Sequence, residues 1–402
     1  MMRENFIRKA RALEPTEEIL PFPKVGLEVE LGLFRDGIPA SSCDFPEYEH
    51  IDTELGDSQI ELRTDPVILY TLENLENELL SKEKAIAGGV IDPVRIGVIP
   101  NISVAETKVA DKEKYRKVPA FHDQKRGSHI NTLIGGVDFN RAACVGLFCS
   151  TQVNLQADSL ADAVDKMNRS FMISPYIVAA SCNARIVEGK DTQYNDIRMP
   201  AWHASHDTRN PEEVRLGTET RIGTPNSYFS SIDDYFGRCI SHPFILDDTD
   251  AAFEIGIGLY WLDTRIKFMG NPVVEYRAMS PQPTAKEDIA MTLFYIGRLT
   301  YSQMTDEPLM DINHVHANRD SAMKDGLRGK LISDGKLVDS ALAVENELNK
   351  AELGLRSFGY DGIQEYSHLI RDRINKRKTP SVCFAEDITK KNIQDALMQY
   401  RL

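Results

Sequence analysis

Residues 24–33 read Lys24-Val25-Gly26-Leu27-Glu28-Val29-Glu30-Leu31-Gly32-Leu33, and this stretch is the most informative part of the sequence. Every second position from Val25 to Leu33 is apolar, which is the period of a β-strand. The opposite face carries two carboxylates, Glu28 and Glu30, flanked by glycines. Such a face leaves room around two oxygen donors, which suits a hard cation such as Mg²⁺. The alternation alone also fits a half-exposed antiparallel strand, and that alternative stays open here.

Four further segments repeat the pattern of polar side chains at alternate positions. They are residues 58–64, 151–156, 261–266 and 273–277. Their polar faces carry Glu, Asp, Gln, Asn and Arg and are short in Lys, whereas a sheet exposed to bulk water normally shows Lys, Thr and Ser. This composition favours an enclosed, wet cleft that holds metal ions and anionic groups.

Composition and charge exclude several classes of protein. The 402 residues include 47 Lys plus Arg and 61 Asp plus Glu, for a net charge of −14. We therefore expect no nucleic-acid partner, and we expect no membrane partner because no apolar run reaches the length of a span. The first residues carry no apolar signal region. The six cysteines form no CxxC pair, which predicts reduced thiols in a cytoplasmic protein.

The organisation of the chain predicts one α+β catalytic domain over 1–402. We expect an N-terminal helix at 1–20, a sheet-rich core at 24–280 and a helical part at 281–402. Patterning predicts helices at 71–87, from about Asp158 towards Pro175, and at 285–304, 338–356, 362–376 and 386–400. Residues 105–140 are interpreted as an ordered loop or lid, and 186–226 as a long irregular segment of functional importance.

Familiar catalytic motifs are missing from the sequence. It contains no GxxxxGK[ST] phosphate loop, no GxGxxG after a strand and no GxSxG nucleophile elbow. The histidine pairs at 203–206 and 314–316 have no partner cluster at zinc-like spacing, so we interpret them as loop or cap residues.

Eight short motifs follow one another in order over roughly residues 24–380. They are Gly26–Glu30, Glu54–Gly56 with Gln59–Thr64, Lys114-Tyr115-Arg116, Ser150–Leu155, Asn183 with Arg198, Trp261–Arg265, Val274–Arg277, and His316–Arg319 through Leu327. Together they resemble the carboxylate–amine ligase family that includes the glutamate–cysteine ligases. That resemblance implies a glutamine synthetase-like fold, in which a mainly antiparallel curved sheet forms an active-site funnel and helices pack on its outer face. Gln152, where many members carry His, and Lys114, in place of Arg, depart from the family pattern.

The resemblance implies ATP-dependent amide formation through an acyl phosphate, with glutamate joined to cysteine or a similar amine. One alternative is the same chemistry on another amino acid and amine in a specialised pathway. Others are a catalytically idle nucleotide- or amino-acid-binding homologue and phosphoryl transfer without ligation. The partners would be small-molecule substrates, and a homodimer stays open.

The resemblance also implies roles for particular residues. Two or three Mg²⁺ ions would be shared by Glu28, Glu30, Glu54, Glu61 and Glu275. Catalytic contacts to the reacting anions would come from Arg198, Arg265 and Arg277. Contacts to ATP would come from Gln152, Asn154, Arg277 and Arg319. Substrate contacts would come from Tyr115, Arg116 and Arg198, with Tyr115 and Arg116 forming a lid that excludes water.

Overall fold

The structure is a computed structural model, and it describes residues 21–242, 245, 259–269 and 271–402. The helix expected at 1–20 lies outside the described residues. The described strands are β1 (Lys24–Arg35), β2 (Ile38–Pro39), β3 (Ile51–Thr53), β4 (Gln59–Arg63), β5 (Val67–Ile68), β6 (Asp92–Val94), β7 (Leu133–Ile134), β8 (Val137–Asp138), β9 (Thr151–Gln156), β10 (Ile186–Val187), β11 (Lys190–Asp191), β12 (Ile222–Gly223), β13 (Trp261–Leu262), β14 (Thr264–Met269), β15 (Asn271–Tyr276), β16 (Lys330–Ser333) and β17 (Lys336–Asp339).

The described α-helices are α1 (Glu73–Ile86), α2 (Glu113–Lys125), α3 (Leu160–Ser181), α4 (Arg198–His206), α5 (Pro211–Arg215), α6 (Ile232–Cys239), α7 (Ala285–Met304), α8 (Ile312–Asp325), α9 (Ser340–Arg356), α10 (Gln364–Lys376), α11 (Pro380–Asp387) and α12 (Ile393–Leu397). Short 3₁₀ helices cover Ser42–Asp44, Val104–Glu106, Ala142–Leu147, Gly326–Arg328 and Met398–Tyr400. No helix within these described ranges has the length and hydropathy needed to cross a bilayer.

The main sheet is antiparallel and has β1 near its centre. Its strands run in the order β14-β15-β9-β1-β4-β3, and β2, β5 and β6 also pair with β1. The apolar face of β1, from Val25 to Leu33, is buried in one core with residues of α3, α7 and α9. The helices therefore cover one face of the sheet and leave the other to the polar side chains. This confirms the predicted α+β fold and its helix-covered, mainly antiparallel sheet.

Most predicted helices are present with shifted ends. The helix predicted at 71–87 is α1, and α3 begins after a cap in which Ser159 accepts a hydrogen bond from the backbone of Asp162. Proline 175 lies inside α3, which continues to Ser181. The single helix predicted at 386–400 is wrong, because α11 ends at Asp387 and a separate α12 begins at Ile393.

The prediction of a loop or lid at 105–140 is wrong over residues 113–125, which form α2. Tyr115, Val118, Pro119 and His122 are its buried residues, and their spacing is that of one helix face. The surrounding charged residues obscured this pattern. The 186–226 segment also contains helices, α4 and α5, so it is less irregular than expected.

Candidate active site

The polar face of the main sheet lines a cavity of about 570 Å³. Side chains from β1, β4, β9 and β14 contribute to its wall, together with Arg277 just beyond β15. Strand register explains the convergence, since Glu28 lies opposite Gln152 and Glu30 lies opposite Glu61. Directly opposed residues project from the same face of a sheet. The polar positions found in the sequence therefore share one cleft.

An acidic cluster of Glu30, Glu54 and Glu61 occupies one part of this cavity. Carboxylate oxygens of the three residues lie within 4.8 Å of one another. Glu30 and Glu61 meet across the β1–β4 pair, and Glu54 follows directly after β3. Three of the five glutamates expected to bind Mg²⁺ are thus close enough to share one ion.

The acidic cluster is electrostatically unbalanced without a cation. Burial and the charge of Glu54 raise the pKa of Glu30 from 4.5 to about 8. Burial and the neighbouring carboxylates also raise the pKa of Glu61 well above its ordinary value, and burial raises the pKa of Glu54. Like charges crowded away from water each disfavour ionisation of the others. A divalent cation at this point would reverse those shifts.

Glu30 is held in place by neighbouring donors. It accepts hydrogen bonds from the backbone N–H of Ser150 at 2.6 Å, from the Ser150 hydroxyl at 3.1 Å and from Gln152 Nε2 at 2.9 Å. The other end of the Gln152 amide, Oε1, is buried and has no hydrogen-bond partner in the described part of the chain. Carboxylate and amide oxygens are the donors that Mg²⁺ and Ca²⁺ prefer. The residues present therefore fit a hard divalent ion.

A cationic cluster of Arg265, Lys267 and Arg277 surrounds Glu275 in the adjoining part of the site. Arg265 and Lys267 form ion pairs with the fully buried Glu275 carboxylate, and Arg277 Nη1 lies 3.5 Å from it. Burial alone would raise the pKa of Glu275, but the three cations outweigh burial and hold that pKa well below its usual range. Glu275 is therefore ionised and already neutralised by protein groups.

Lys267 joins Glu275 to Glu28. Its Nζ lies 2.8 Å and 3.0 Å from the two oxygens of Glu28, and Asn154 Nδ2 donates to Glu28 at 3.3 Å. Burial lowers the pKa of Lys267, but Glu275 and Glu28 raise it further, so the net shift is upward. The structure thus brings Glu28 and Glu275 together through a lysine. Their expected role as metal ligands stays a prediction.

Arg277 lies between the two clusters. Burial and repulsion from Arg265 lower its pKa, while Glu275 and Glu30 act in the opposite direction. Its Nη1 is buried and makes no hydrogen bond to any described residue. Arg277 also lines the cavity, and an arginine in that position is suited to bind an anionic oxygen.

Arg198 and Arg319 use their donors within the protein. Arg198 forms a two-point ion pair with Asp196 and donates to the backbone carbonyls of Cys149 and Ala278, at 2.9 Å and 2.7 Å. It therefore ties the chain just before β9 to the chain just after β15. Arg319 forms a comparable two-point pair with Asp263. Arg198 lines the cavity, but its contacts are those of a positioning residue, and direct anion contacts by either arginine stay a prediction.

The predicted substrate pair on α2 is divided between the cavity and solvent. Tyr115 lines the cavity, and its hydroxyl donates to the carbonyl of Thr53 at 3.3 Å. Lys114 also lines the cavity and lies over the Tyr115 ring. Arg116 is exposed, pairs with Asp111 and is not part of the cavity wall. The structure brings Tyr115, but not Arg116, to the site.

Two features of the site were not predicted from the sequence. Lys267 stands two residues after Arg265 and so projects from the same strand face, but it lies one residue beyond the alternating segment 261–266. An aromatic wall of Trp202, His206 and Trp261 also lines the cavity, with ring centroids 5.5 to 5.8 Å apart. Trp202 and His206 come from α4 and Trp261 from β13. Because α4 and β13 are far apart in the sequence, no local pattern indicates that these side chains meet.

Comparisons with known proteins identify the family and the fold of the chain. The family model described as "Glutamate-cysteine ligase family 2(GCS2)" matches residues 26–395. A protein named "Putative glutamate--cysteine ligase 2-1", from Nocardioides sp., is 25% identical over 274 residues, covering 63% of this chain and 61% of that relative. The chain thus spans less than two thirds of the length of this curated relative.

Two crystal structures share the fold at low sequence identity. Glutamate–cysteine ligase from Francisella tularensis, in complex with AMP, is similar with a TM-score of 0.64 and 13% identity, covering 96% of this chain and 89% of that chain. A bifunctional glutathione synthetase from Pasteurella multocida is similar with a TM-score of 0.53 and 12% identity, covering 100% of this chain and 54% of the other.

Proposed function

The chain belongs to glutamate–cysteine ligase family 2, and on that premise we propose that it is an ATP-dependent ligase. It joins a carboxylate to an amine through an acyl phosphate, with glutamate as the carboxylate and cysteine or a similar small amine as the acceptor. The observation that carries this proposal is the division of one cavity into an acidic cluster and a cationic cluster. ATP and a second carboxylate repel each other, and a site that joins them must neutralise both.

The acidic cluster would hold Mg²⁺. Glu30, Glu54 and Glu61 supply the carboxylate oxygens, and Gln152 offers an unpartnered amide oxygen beside them. When bound there, Mg²⁺ supplies positive charge that neutralises the phosphates of ATP and aligns the γ-phosphate for attack. The hydrogen bonds from Ser150 and Gln152 fix the Glu30 side chain before any ion arrives.

The cationic cluster stabilises the transferring phosphoryl group. A substrate carboxylate oxygen attacks the γ-phosphorus, the bond to the β–γ bridging oxygen breaks, and ADP leaves with its electron pair. Arg277, which lines the cavity, stabilises the negative charge on the transferring group through its guanidinium group. Arg265 and Lys267 keep Glu275 ionised, and Glu275 in turn positions Arg277.

Amide formation completes the reaction. The amine nitrogen attacks the acyl carbon, the carbon–oxygen bond to phosphate breaks, and inorganic phosphate leaves while the nitrogen loses a proton. Helix α2 carries Tyr115 over the cavity, and the aromatic wall lines another part of it. These apolar surfaces would restrict water, which otherwise hydrolyses an acyl phosphate.

An assay of ADP release tests the proposal. Purified chain is given Mg-ATP and a panel of amino acids, each with and without a panel of amines. We expect ADP release to require glutamate and to rise when cysteine or a related amine is present, with an amide as the product. Glu61→Gln should remove turnover, while Glu47→Gln, at an exposed site outside the cavity, should keep it.

Each other outcome has a distinct meaning. ADP release with a phosphorylated product and no need for an amine would indicate phosphoryl transfer. Amide formation from a different pair would keep the chemistry and change the substrates. No ADP release with any pair, together with retained ATP binding, would contradict ligase activity and indicate an idle binding protein.

A further inference from the structure

Lys267 occupies an unusual position for a lysine in a site that binds divalent cations. Its ammonium contacts both oxygens of Glu28, at 2.8 Å and 3.0 Å, and also forms an ion pair with Glu275. One positive centre thus bridges two carboxylates that come from β1 and β15. A bridging divalent ion would join the same two side chains in the same way.

The charges on either side of the site are unequal. Three cations, Arg265, Lys267 and Arg277, lie beside Glu275. Lys267 also pairs with Glu28, which lies near the carboxylate of Glu61 on its other side. A further divalent ion between Glu28 and Glu275 would therefore lie against the ammonium group of Lys267, which already contacts both carboxylates, and beside Arg265 and Arg277. Coulomb repulsion of that kind is strong where water is excluded.

The acidic cluster shows the opposite imbalance. Three carboxylates, from Glu30, Glu54 and Glu61, lie within 4.8 Å of one another, and no lysine or arginine within the described ranges forms an ion pair with any of them at 4.0 Å or less. Added positive charge is favourable there and unfavourable at the Glu28–Glu275 pair. The two halves of the cavity therefore differ in their need for a metal.

We propose that the ammonium group of Lys267 takes the place of one divalent cation in this site. It holds Glu28 to Glu275 permanently, and exchangeable metal binds at the acidic cluster. This inference rests on the proposed metal-dependent function. It adds a distinction between the fixed positive charge of Lys267 and the exchangeable positive charge of a bound metal ion. It assigns Lys267 as a positioning residue that holds the side chain of Glu28, on β1, beside that of Glu275, on β15.

The geometry of the strands makes Lys267 suited to this task. It lies two residues beyond Arg265 on β14, so both side chains project from the same face. β15 and β9 separate β14 from β1 in the sheet. Only a long side chain reaches from β14 across that distance, and lysine provides a flexible stem with a point charge at its end.

Counting bound Mn²⁺ tests the proposal without any turnover. Mn²⁺ is titrated into the full chain with no nucleotide present, and free Mn²⁺ is measured by electron paramagnetic resonance. We expect Glu28→Gln to bind the same number of ions as the unaltered chain, with affinity changed by no more than about threefold. Glu61→Gln is the matched variant inside the acidic cluster, and we expect it to weaken Mn²⁺ binding by at least about tenfold, the range measured when a metal site loses a supporting group.

Loss of one Mn²⁺ per chain in Glu28→Gln would overturn the proposal while leaving the metal-dependent function intact. Absence of Mn²⁺ binding in the unaltered chain would overturn both. Should Glu28→Gln fail to fold, anomalous diffraction from crystals of the unaltered chain soaked in Mn²⁺ decides the question. A peak at Glu30, Glu54 and Glu61 alone supports the proposal, and a peak between Glu28 and Glu275 overturns it.

Discussion

Replacing Glu30 by glutamine should stabilise the metal-free protein at alkaline pH. Glutamine has nearly the same shape and can still accept the hydrogen bonds from Ser150 through its oxygen. Its NH₂ group would face Gln152, whose unpartnered Oε1 can turn to accept from it. The substitution therefore removes a buried charge. It leaves one unpartnered group at Gln152, as in the unaltered chain, with the NH₂ now in the place of Oε1.

The size of the effect follows from the pKa of Glu30, which burial and Glu54 raise from 4.5 to about 8. Each pKa unit corresponds to about 1.4 kcal/mol, so ionised Glu30 costs the folded state on the order of 5 kcal/mol. Between those two pKa values the folded chain holds a proton that the unfolded chain has lost. The free energy of unfolding therefore falls as the pH rises through that window, and it levels off above the folded pKa.

Urea denaturation in the presence of EDTA measures this effect. From about pH 5.5 to about pH 8.5 the unaltered chain should lose several kcal/mol more stability than Glu30→Gln. Glu47→Gln, at an exposed glutamate, should follow the unaltered chain. Mg²⁺ should restore the alkaline stability of the unaltered chain and have a smaller effect on Glu30→Gln, because ligands stabilise the state that binds them. Equal pH dependence in the unaltered chain and Glu30→Gln would refute the reasoning.

Two further substitutions test how the site is supported. Arg198→Met leaves a buried aspartate without its partner and should lower the free energy of unfolding by about 3–5 kcal/mol in urea denaturation, whereas Arg185→Met at a surface pair should cost about 1 kcal/mol or less. Equal losses would contradict a structural role for Arg198. Gly56→Ala would place its Cβ 1.9 Å from the carbonyl oxygen of Gly146, so it should displace the adjoining Glu54 segment and weaken Mn²⁺ binding, whereas Gly89→Ala meets nothing closer than 3.6 Å and should bind Mn²⁺ normally. Unchanged Mn²⁺ affinity in Gly56→Ala would show that the segment tolerates the shift.

The central sheet was predictable because apolar and polar residues alternate one by one along its strands. Alternation over 24–33 is strict, and the structure buries its apolar side as expected. Helix α2 was not predicted, because its buried face is narrow and contains Pro119 and His122 among charged neighbours. The aromatic wall was missed for a different reason. It is formed by residues about 60 positions apart that only the folded chain brings together.

The roles of individual carboxylates were less predictable than the strand face from which each side chain projects. Glu28 and Glu30 stand two residues apart on the same strand face, so the local sequence pattern does not distinguish them. Across the sheet their surroundings differ. Glu30 lies opposite another glutamate, Glu61, whereas Glu28 lies between Arg63 and Gln152 and is reached by Lys267. The periodicity of one strand reports which way a side chain points, but the charge it meets depends on pairing partners far away in the chain.

The different surroundings of Glu28 and Glu30 show that a strand pattern alone does not identify metal ligands. A carboxylate is available to a metal ion only when the protein has not already neutralised it, and neutralisation is a property of the neighbouring strands. Glu28 and Glu30 have the same local sequence pattern, but their neighbours differ. Lys267 on β14 pairs with Glu28, whereas Glu30 belongs to the acidic cluster that we propose binds a cation. Lys267, at an alternate position of β14, is therefore the residue that distinguishes Glu28 from Glu30 in our proposal, because its fixed charge already contacts Glu28.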